Sequence, residues 1–291
     1  MSEAGAVVVG IDEPPASNLA LHWAIDHART TGATLRLVCA YRWVLSYSWE
    51  RSYHVPVPER EELRRHSERL LAQARELAVA LAPDLVVETA AIDGEAISVL
   101  LAESEAASML VLGSRQLKTI GSVLLGSVAA AVCPRAHCPV VVLRAPAGAA
   151  AEHAAVLVGV DGTEASEAVL AFAFAHASTH RLPIKAILCW KPARSVTAPW
   201  HHAQRSTELP QSWLSEALAG WGEKYPDVEV HAAVQQDDPV PALVADSLGQ
   251  SLLVVGTRAR HALAGTLLGS VSQGILHHAI CPVAVVPTHA H

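Results

Sequence analysis

The sequence is poor in charge, in cysteine and in long apolar runs. Only 17% of its 291 residues are charged while 51% are hydrophobic, and this balance excludes disorder for most of the chain. The 5 cysteines include no C-x-x-C pair, so neither a disulfide framework nor a zinc knuckle is indicated. The apolar run at 138–143 is far shorter than the ~20 residues that a membrane-spanning helix needs. The sequence therefore predicts a compact protein without a membrane span.

Basic residues are also few and scattered. The 21 lysines and arginines form no dense run, and the formal net charge is -7. This distribution disfavours attachment to nucleic acid or to an anionic membrane through phosphate groups. The N-terminal segment has no basic region of the kind found in a secretory signal. We therefore expect a cytoplasmic protein whose partners are small molecules or proteins, with no nucleic acid and no membrane among them.

What the sequence does contain is an internal repeat. Three pairs of segments match in order: 6–28 with 155–177, 110–128 with 253–271, and 138–143 with 281–286. The stretch between the two copies is made of small residues and has the composition of a short linker. At roughly 150 residues per domain, we predict a first domain at 1–146, a linker at 147–153 and a second domain at 154–291.

Each repeat alternates short β-branched runs with longer amphipathic stretches, which is typical of a parallel sheet with helices on both faces. The predicted strands are 6–11, 35–41, 85–92, 108–113 and 139–143, then 155–160, 184–190, 228–234, 251–256 and 282–286. Apolar spacing predicts one helix over 59–82, and Ser17 and Ser166 are predicted to cap the first helix of each repeat. The fold class is α/β: two tandem doubly wound domains, each a five-stranded, mainly parallel sheet flanked by helices.

Three features of each repeat fall at the carboxyl ends of predicted strands, where doubly wound sheets bind ligands. An aspartate follows the first strand, a glycine with a hydroxyl residue and an arginine ends the fourth, and a Gly-Ser pair opens the next helix. These residues are Asp12, Gly113, Ser114, Arg115, Gly126 and Ser127 in the first repeat, and Asp161, Gly256, Thr257, Arg258, Gly269 and Ser270 in the second.

Each feature has a chemical and a purely structural interpretation. The aspartate can accept a hydrogen bond from a ribose hydroxyl or can serve as a turn residue. The glycine can admit a ligand to the backbone or only end a strand. The Gly-Ser pair can present free N–H groups to an anion, or its serine can be an N-cap. Because all three recur twice at nearly fixed spacing, we favour a phosphate site.

Several better-known motifs are absent from the sequence. No G-x-x-x-x-G-K-[ST], G-x-G-x-x-G or G-x-S-x-G occurs, so a P-loop, a Rossmann dinucleotide site and a hydrolase nucleophile are unsupported. The adjacent histidines His201-His202 and His277-His278 diverge in a helix or strand, and no H-x-x-x-H pair is accompanied by an acid. We expect no catalytic residue and no metal site.

The spacing at the fourth strand resembles the signature of the universal stress protein family: glycine, two residues, glycine, nine residues, glycine, then serine or threonine. The resemblance covers residues 5–146 and 154–288, so the chain resembles a tandem member with two copies. The spacing is kept twice, but Gln116 and Ala259 replace the second glycine. Because Gln116 adds the longer side chain, we expect the second repeat to hold the better site.

The resemblance implies ATP as the ligand, with Mg2+ accompanying it. It places the aspartate near the ribose, the glycine loop around the phosphates, and the main chain near Ala40 and Trp190 at the adenine. It implies a stress-response protein that acts as a nucleotide-dependent sensor or regulator. The alternative is a scaffold or interaction protein of the same fold in which one or both pockets bind no nucleotide.

The resemblance also bears on catalysis and assembly. Since no base or nucleophile is evident, we expect slow ATP hydrolysis at most, and the H-x-G-H motif of adenylate-forming enzymes is absent. Family domains pair through the fifth strand, and an apolar fifth strand left open would promote aggregation. We therefore expect the two repeats to form an intramolecular pseudo-dimer, with further homodimerisation as an option.

Overall fold

The computed structural model describes residues 5–42, 60–114, 126–144, 154–163, 165–191, 208–257 and 268–288. Across these ranges, ten strands and nine helices are found. The first repeat contains β1 (Val7–Gly10), α1 (Ala16–Thr31), β2 (Leu35–Tyr41), α2 (Arg60–Leu81), β3 (Val87–Asp93), α3 (Ala96–Ser104), β4 (Met109–Gly113), α4 (Ser127–Val132) and β5 (Val140–Leu143). The second contains β6 (Val156–Val160), α5 (Ala165–His180), β7 (Ile184–Cys189), α6 (Glu208–Leu218), α7 (Trp221–Lys224), β8 (Val230–Gln235), α8 (Pro239–Asp246), β9 (Leu252–Gly256), α9 (Ser270–His278) and β10 (Val283–Val286).

The element types agree with the sequence analysis. Each predicted strand is present with ends within two residues of the expected bounds, and the helix expected over 59–82 is α2. The predicted linker at 147–153 lies outside the described residues. None of the helices in the described ranges is long and apolar enough to cross a membrane.

The predicted capping role of Ser17 and Ser166 is wrong. Both serines lie one residue inside their helices, α1 and α5, whereas a capping serine precedes the helix and accepts a hydrogen bond from its N–H groups. Here the hydroxyls bond to the preceding turn: Ser17 Oγ donates to the backbone oxygen of Asp12 at 2.6 Å, and Ser166 Oγ donates to Asp161 Oδ1 at 2.9 Å and accepts from the Asp161 N–H at 3.3 Å. The serines therefore attach each helix to the turn before it.

All ten strands form one sheet, in the order β3-β2-β1-β4-β5-β10-β9-β6-β7-β8. Neighbouring strands are parallel within each repeat, and β5 pairs antiparallel with β10, where Val142 is opposite Val283. Pairing of these two buried strands satisfies backbone groups that would otherwise form an open edge. The expected pseudo-dimer through the fifth strands is confirmed.

The sheet has a hydrophobic core on each face. Val7 and Val9 contribute to one core and Val8 to the other, because successive strand residues point to opposite faces. Helices α1, α2, α5 and α6 cover the first face, and α3, α4, α8 and α9 cover the second. Each core contains residues of both repeats, so the two halves share their packing as well as their sheet.

A buried arginine adds a polar contact between the repeats. Arg144, directly after β5, is only 7% exposed. Its Nη1 donates to the backbone oxygen of Leu276 at 2.8 Å, and its Nη2 donates to that of His277 at 2.9 Å. Both oxygens belong to the last turn of α9, where carbonyl groups have no partner within the helix and the helix dipole favours a cation. Arg144 therefore links the first repeat to the end of α9.

Candidate functional site

The sequence-predicted site residues lie at the carboxyl edge of the sheet. The order β3-β2-β1-β4-β5 places a topological switch point between β1 and β4, and the second repeat has the equivalent point between β6 and β9. Crevices at such points are the usual ligand sites of doubly wound sheets. Asp12 and Gly113 follow or end the two strands at the first point, and Asp161 and Gly256 do so at the second. The topology thus places each aspartate near its glycine.

Asp161 builds the turn between β6 and α5. Its Oδ1 accepts hydrogen bonds from the Thr163 N–H at 3.1 Å, from Thr163 Oγ1 at 2.6 Å and from Ser166 Oγ at 2.9 Å. Gly162 completes the turn with a φ of +70°, which glycine adopts readily. The turn role considered from sequence is therefore present, and the side chain remains exposed at the edge where a ligand would bind.

Asp12 occupies a more acidic turn than its counterpart. The Glu13 N–H donates to Asp12 Oδ1 at 2.8 Å, and the Glu13 carboxylate lies 3.1 Å from His66 Nε2. Both acidic residues are exposed. The second repeat has Gly162 where the first has Glu13. A further carboxylate beside the site disfavours a phosphate, so this edge of the first repeat is the less suitable one.

The strand-end glycines are required by the chain's own packing. A Cβ at Gly113 would overlap the backbone carbonyl group of Ala16, at the start of α1. A Cβ at Gly256 would lie 2.7 Å from Thr288 Cγ2, a methyl group that can rotate away more easily than backbone. Glycine at these positions therefore does not by itself indicate a ligand. The need for glycine is stricter in the first repeat, because there a Cβ would meet backbone atoms instead of a side-chain methyl group.

The Gly-Ser pairs begin α4 and α9, but the serines are not the N-caps. Gly126 and Gly269 are the cap residues, both in extended backbone and without a side-chain cap hydrogen bond in the described structure. Ser127 and Ser270 are the first helical residues. A glycine cap leaves N–H groups of the first turn without a side-chain acceptor. The interpretation of these serines as simple caps is wrong.

The start of α9 is held against the end of β9. The Gly269 N–H donates to the backbone oxygen of Thr257 at 3.3 Å, and Ser272 Oγ donates to the backbone oxygen of Gly256. Thr257 Oγ1 in turn accepts a hydrogen bond from the Thr288 N–H at 3.2 Å. These contacts bring the glycine-capped helix start and the strand-end glycine of the second repeat into one cluster.

Three buried side-chain polar atoms have no hydrogen-bond partner within the described residues: Ser114 Oγ, Trp190 Nε1 and His176 Nδ1. A buried polar group left without a partner costs about 1–3 kcal/mol, and in native structures such a group calls for an explanation such as a water or ligand. Ser114 and Trp190 are two of the positions predicted to contact a nucleotide. Among the described residues, neither of these two groups has a hydrogen-bond partner, and a bound molecule can supply one.

The remaining predicted positions are less informative. Ala40 lies in β2 opposite Ile92 of β3 and is partly buried. Arg115 and Arg258, together with the signature replacements Gln116 and Ala259, lie outside the described residues. The cysteines are free, and burial raises the pKa of Cys133, Cys138 and Cys281 to about 12, so these thiols stay protonated at neutral pH.

The sequence analysis missed a histidine cluster between α1 and α5. His27 Nδ1 lies 2.9 Å from His180 Nε2, and the His176 ring centroid lies 5.5 Å from that of His27 and 4.3 Å from that of His180. Trp23 stacks on His27 and His176. Mainly through burial, and also through the neighbouring imidazoles, the pKa falls to about 4 for His27 and about 3 for His176.

Two signals for this cluster were present in the sequence. His176 and His180 are four residues apart, one turn of α5, and His27 and His176 occupy matching positions of the two repeats. The spacing of His176 and His180 was set aside in the sequence analysis because no acidic residue accompanies this H-x-x-x-H pair. The match between His27 and His176 indicates a contact only when α1 is known to pack beside α5.

Fold and edge residues together define a tandem doubly wound α/β protein with a candidate ligand site at the switch point of each half. The model of the Universal stress protein family matches residues 4–144 and 153–287. The chain belongs to this family.

Known relatives extend over almost the whole chain. The universal stress protein Rv2005c of Mycobacterium tuberculosis is 35% identical over 289 residues, covering 96% of each chain. Rv2623 of the same species is 32% identical over 286 residues, covering 96% of this chain and 95% of its own. A universal stress protein structure from Archaeoglobus fulgidus covers 98% of both chains with a TM-score of 0.68 at 16% identity, a likeness of fold. One universal stress protein, solved in complex with cAMP, is 27% identical and covers 49% of this chain with a TM-score of 0.38.

Proposed function

We propose that the protein binds an adenine nucleotide, ATP before others, at the carboxyl edge of its sheet and acts as a nucleotide-dependent regulator in the cytoplasm. The observation that carries the proposal is the coincidence at Ser114 and Trp190. Each holds a buried side-chain polar atom without a partner among the described residues. Each was also selected from sequence as a nucleotide-contacting position, Trp190 for its main chain at the adenine. An indole N–H can donate to a ring nitrogen of adenine, and a hydroxyl can pair with phosphate or ribose oxygens.

The second repeat offers the better set of groups. In this proposal Asp161 accepts from the ribose hydroxyls, while the strand end at Gly256-Thr257 and the helix start at Gly269-Ser270 receive the phosphates. The helix start suits an anion because its first N–H groups have no intrahelical acceptor and the helix dipole is positive there. The second repeat also lacks the carboxylate that Glu13 places at the equivalent turn of the first.

Bound ATP supplies negative charge and hydrogen-bonding groups, with Mg2+ as its counter-ion. Helix α9 connects that charge to the other repeat. Its first residues, Gly269 and Ser270, lie at the proposed phosphate site, and its last carbonyl groups accept hydrogen bonds from Arg144 of the first repeat. If nucleotide binding shifts α9, the shift therefore acts directly on the hydrogen bonds of Arg144 at the junction between the repeats.

Calorimetry with ATP and Mg2+, on protein freed of copurified ligand by unfolding and refolding, tests the proposal. We expect saturable binding that is weakened by Trp190→Phe, which removes the indole N–H and keeps an aromatic ring. Trp23→Phe, at a tryptophan of α1 that stacks on His27 and His176 away from the carboxyl edge of the sheet, is the matched control and should leave the affinity unchanged. Absence of ATP binding would reject the proposal.

The second candidate function is a scaffold or interaction protein with empty pockets. It is favoured by Gly113 and Gly256, since the packing of α1 and of Thr288 accounts for both glycines without a ligand. A native mass spectrum of the freshly purified chain separates the two functions. A mass increment equal to an adenine nucleotide favours the regulator, and the mass of the bare chain favours the scaffold.

A further inference from the structure

The histidine cluster of α1 and α5 lies away from the proposed nucleotide site. His27, His176 and His180 are in the second half of their helices, whereas the nucleotide edge is at the helix starts. One ring nitrogen from each histidine lies within 4.8 Å of the other two. We propose that these three imidazoles bind one divalent transition-metal ion of the zinc class, which would bridge the two repeats.

The spacing is close to that of a metal site. Zn2+ bound to histidine at about 2.0–2.1 Å in tetrahedral geometry places ligand nitrogens about 3.3 Å apart. The 2.9 Å between His27 Nδ1 and His180 Nε2 is slightly shorter than this, and no pair of candidate ligand atoms exceeds 4.8 Å. Side-chain rotations that move the nitrogens by on the order of 1 Å therefore create the site.

The donor set determines which ions fit. Three imidazole nitrogens suit Zn2+, Co2+, Ni2+ or Cu2+, whereas Mg2+ and Ca2+ prefer oxygen ligands. His176 is 7% exposed, and its Nδ1 has no partner within the described residues. The low pKa values of His27 and His176 also keep both rings neutral at pH 7, the form that binds metals.

The surroundings both shield the site and favour a cation. Trp23 and Phe172 stack on the His176 ring, with centroid distances of 5.8 and 6.1 Å. Asp26 of α1 acts electrostatically on His180 and is paired with Arg29 at 3.0 Å on the surface. With three protein ligands, a fourth position is left for water or for a carboxylate such as Asp26.

The pseudo-symmetry of the chain explains how the site arises. Antiparallel pairing of β5 with β10 packs α1 beside α5 and brings His27 and His176, which match each other in the two repeats, into contact. The third ligand breaks the symmetry, because the first repeat has Thr31 at the position of His180. The bound ion would therefore join the repeats on the α1–α5 face, opposite the face on which Arg144 contacts α9.

Titration of the full-length, EDTA-treated and desalted protein with ZnCl2 tests the proposal. We expect one tight site per chain in the calorimeter. His180→Thr, which copies the residue of the first repeat, and His27→Gln, on the other helix, should each weaken that site at least about 100-fold, the upper end of the effect of losing an outer-shell partner. His278→Gln, at the exposed end of α9, should leave the tight site unchanged.

A spectroscopic and a folding control complete the experiment. Co2+ added to the wild type should give the intense visible absorption of a tetrahedral site, and neither His27→Gln nor His180→Thr should show it. Circular dichroism in EDTA establishes that each variant is folded, and the two variants test the same ion from different helices. If wild type lacks a tight Zn2+ site, or if both folded variants keep it, the proposal is overturned. Its outcome is independent of ATP binding.

Discussion

Arg144 of the first repeat donates a hydrogen bond through Nη1 to the backbone oxygen of Leu276 in the second, at 2.8 Å. A second bond runs from Nη2 to the oxygen of His277 at 2.9 Å. Since the arginine is buried and the two carbonyl groups end α9, the contact combines charge-assisted hydrogen bonding with a favourable helix dipole. It gives the junction a specific polar connection beside the apolar β5–β10 pairing.

Replacement of this arginine should destabilise the whole chain. In Arg144→Met the side chain remains long and apolar, but one buried and one partly buried carbonyl oxygen lose their charged donor. We therefore expect the free energy of unfolding to fall by about 2–3 kcal/mol. Urea unfolding followed by circular dichroism measures it. Arg135→Met is the matched control, because exposed Arg135 also donates to a helix carbonyl, that of Ala131, and should cost under about 0.5 kcal/mol. Equal losses in the two variants would contradict the role of Arg144.

Gly113→Ala should also destabilise the protein. The new methyl group would overlap the backbone carbonyl of Ala16, and the start of α1 would have to move, at a cost of about 1–3 kcal/mol. Gly222→Ala in α7 is the control, since a Cβ there meets nothing within 4 Å and alanine favours the helix by up to about 1 kcal/mol. A thermal melt in which Gly113→Ala leaves the Tm unchanged would contradict the close contact of Gly113 with the backbone of Ala16.

Stability in EDTA should fall as the solution is acidified. Burial lowers the pKa of His27 from 6.5 to about 4 and that of His176 from 6.5 to about 3. The unfolded chain therefore binds more protons than the folded one below pH 6.5, so the stability present above that pH is lost progressively as the pH falls towards 4. Urea midpoints at pH 7.5 and 5 measure the loss, which should be smaller in His27→Gln. A midpoint loss of equal size in wild type and variant would exclude this cause.

The two helix starts should differ in their importance for ATP. Gly126 and Gly269 have the same extended backbone, with φ of -60° and -59°, so valine introduces bulk at the start of each helix without backbone strain. We expect Gly269→Val to weaken ATP binding more than Gly126→Val, because the second repeat is the proposed better site. Calorimetry on both variants checks this order. Equal losses of ATP affinity in the two variants would contradict the ranking of the second site above the first.

The strands could be predicted because buried parallel strands are short, nearly continuous β-branched runs, as in Val7–Gly10 and Val156–Val160. The pairing of the repeats was implied by the resemblance to a family whose domains pair through the fifth strand, and the apolar character of both fifth strands agreed with it. The positions of Ser17 and Ser166 could not be predicted, since a hydroxyl near a helix start can cap the helix or bond to the preceding turn, and the local sequence permits both.

The positions of the candidate site residues on the sheet could be predicted, but their contacts could not. Asp12 and Asp161 fall at the expected edge because strand order alone determines where parallel strands end. The contact of Gly113 with Ala16 depends on how α1 lies on the sheet. The contact of His27 with His176 depends on how the two repeats pack together. Sequence periodicity within one repeat predicts neither the helix placement nor the packing of the repeats.

The antiparallel pairing of β5 with β10 inside one chain also has an evolutionary consequence. Two separate subunits joined in this way would come apart on dilution, and each mutation would appear on both sides of their axis. Within one polypeptide the halves remain joined at any concentration, so each can diverge independently, as His180 against Thr31 and Glu13 against Gly162 illustrate. Because the fifth strands already occupy each other, any larger assembly of this chain must form through another surface.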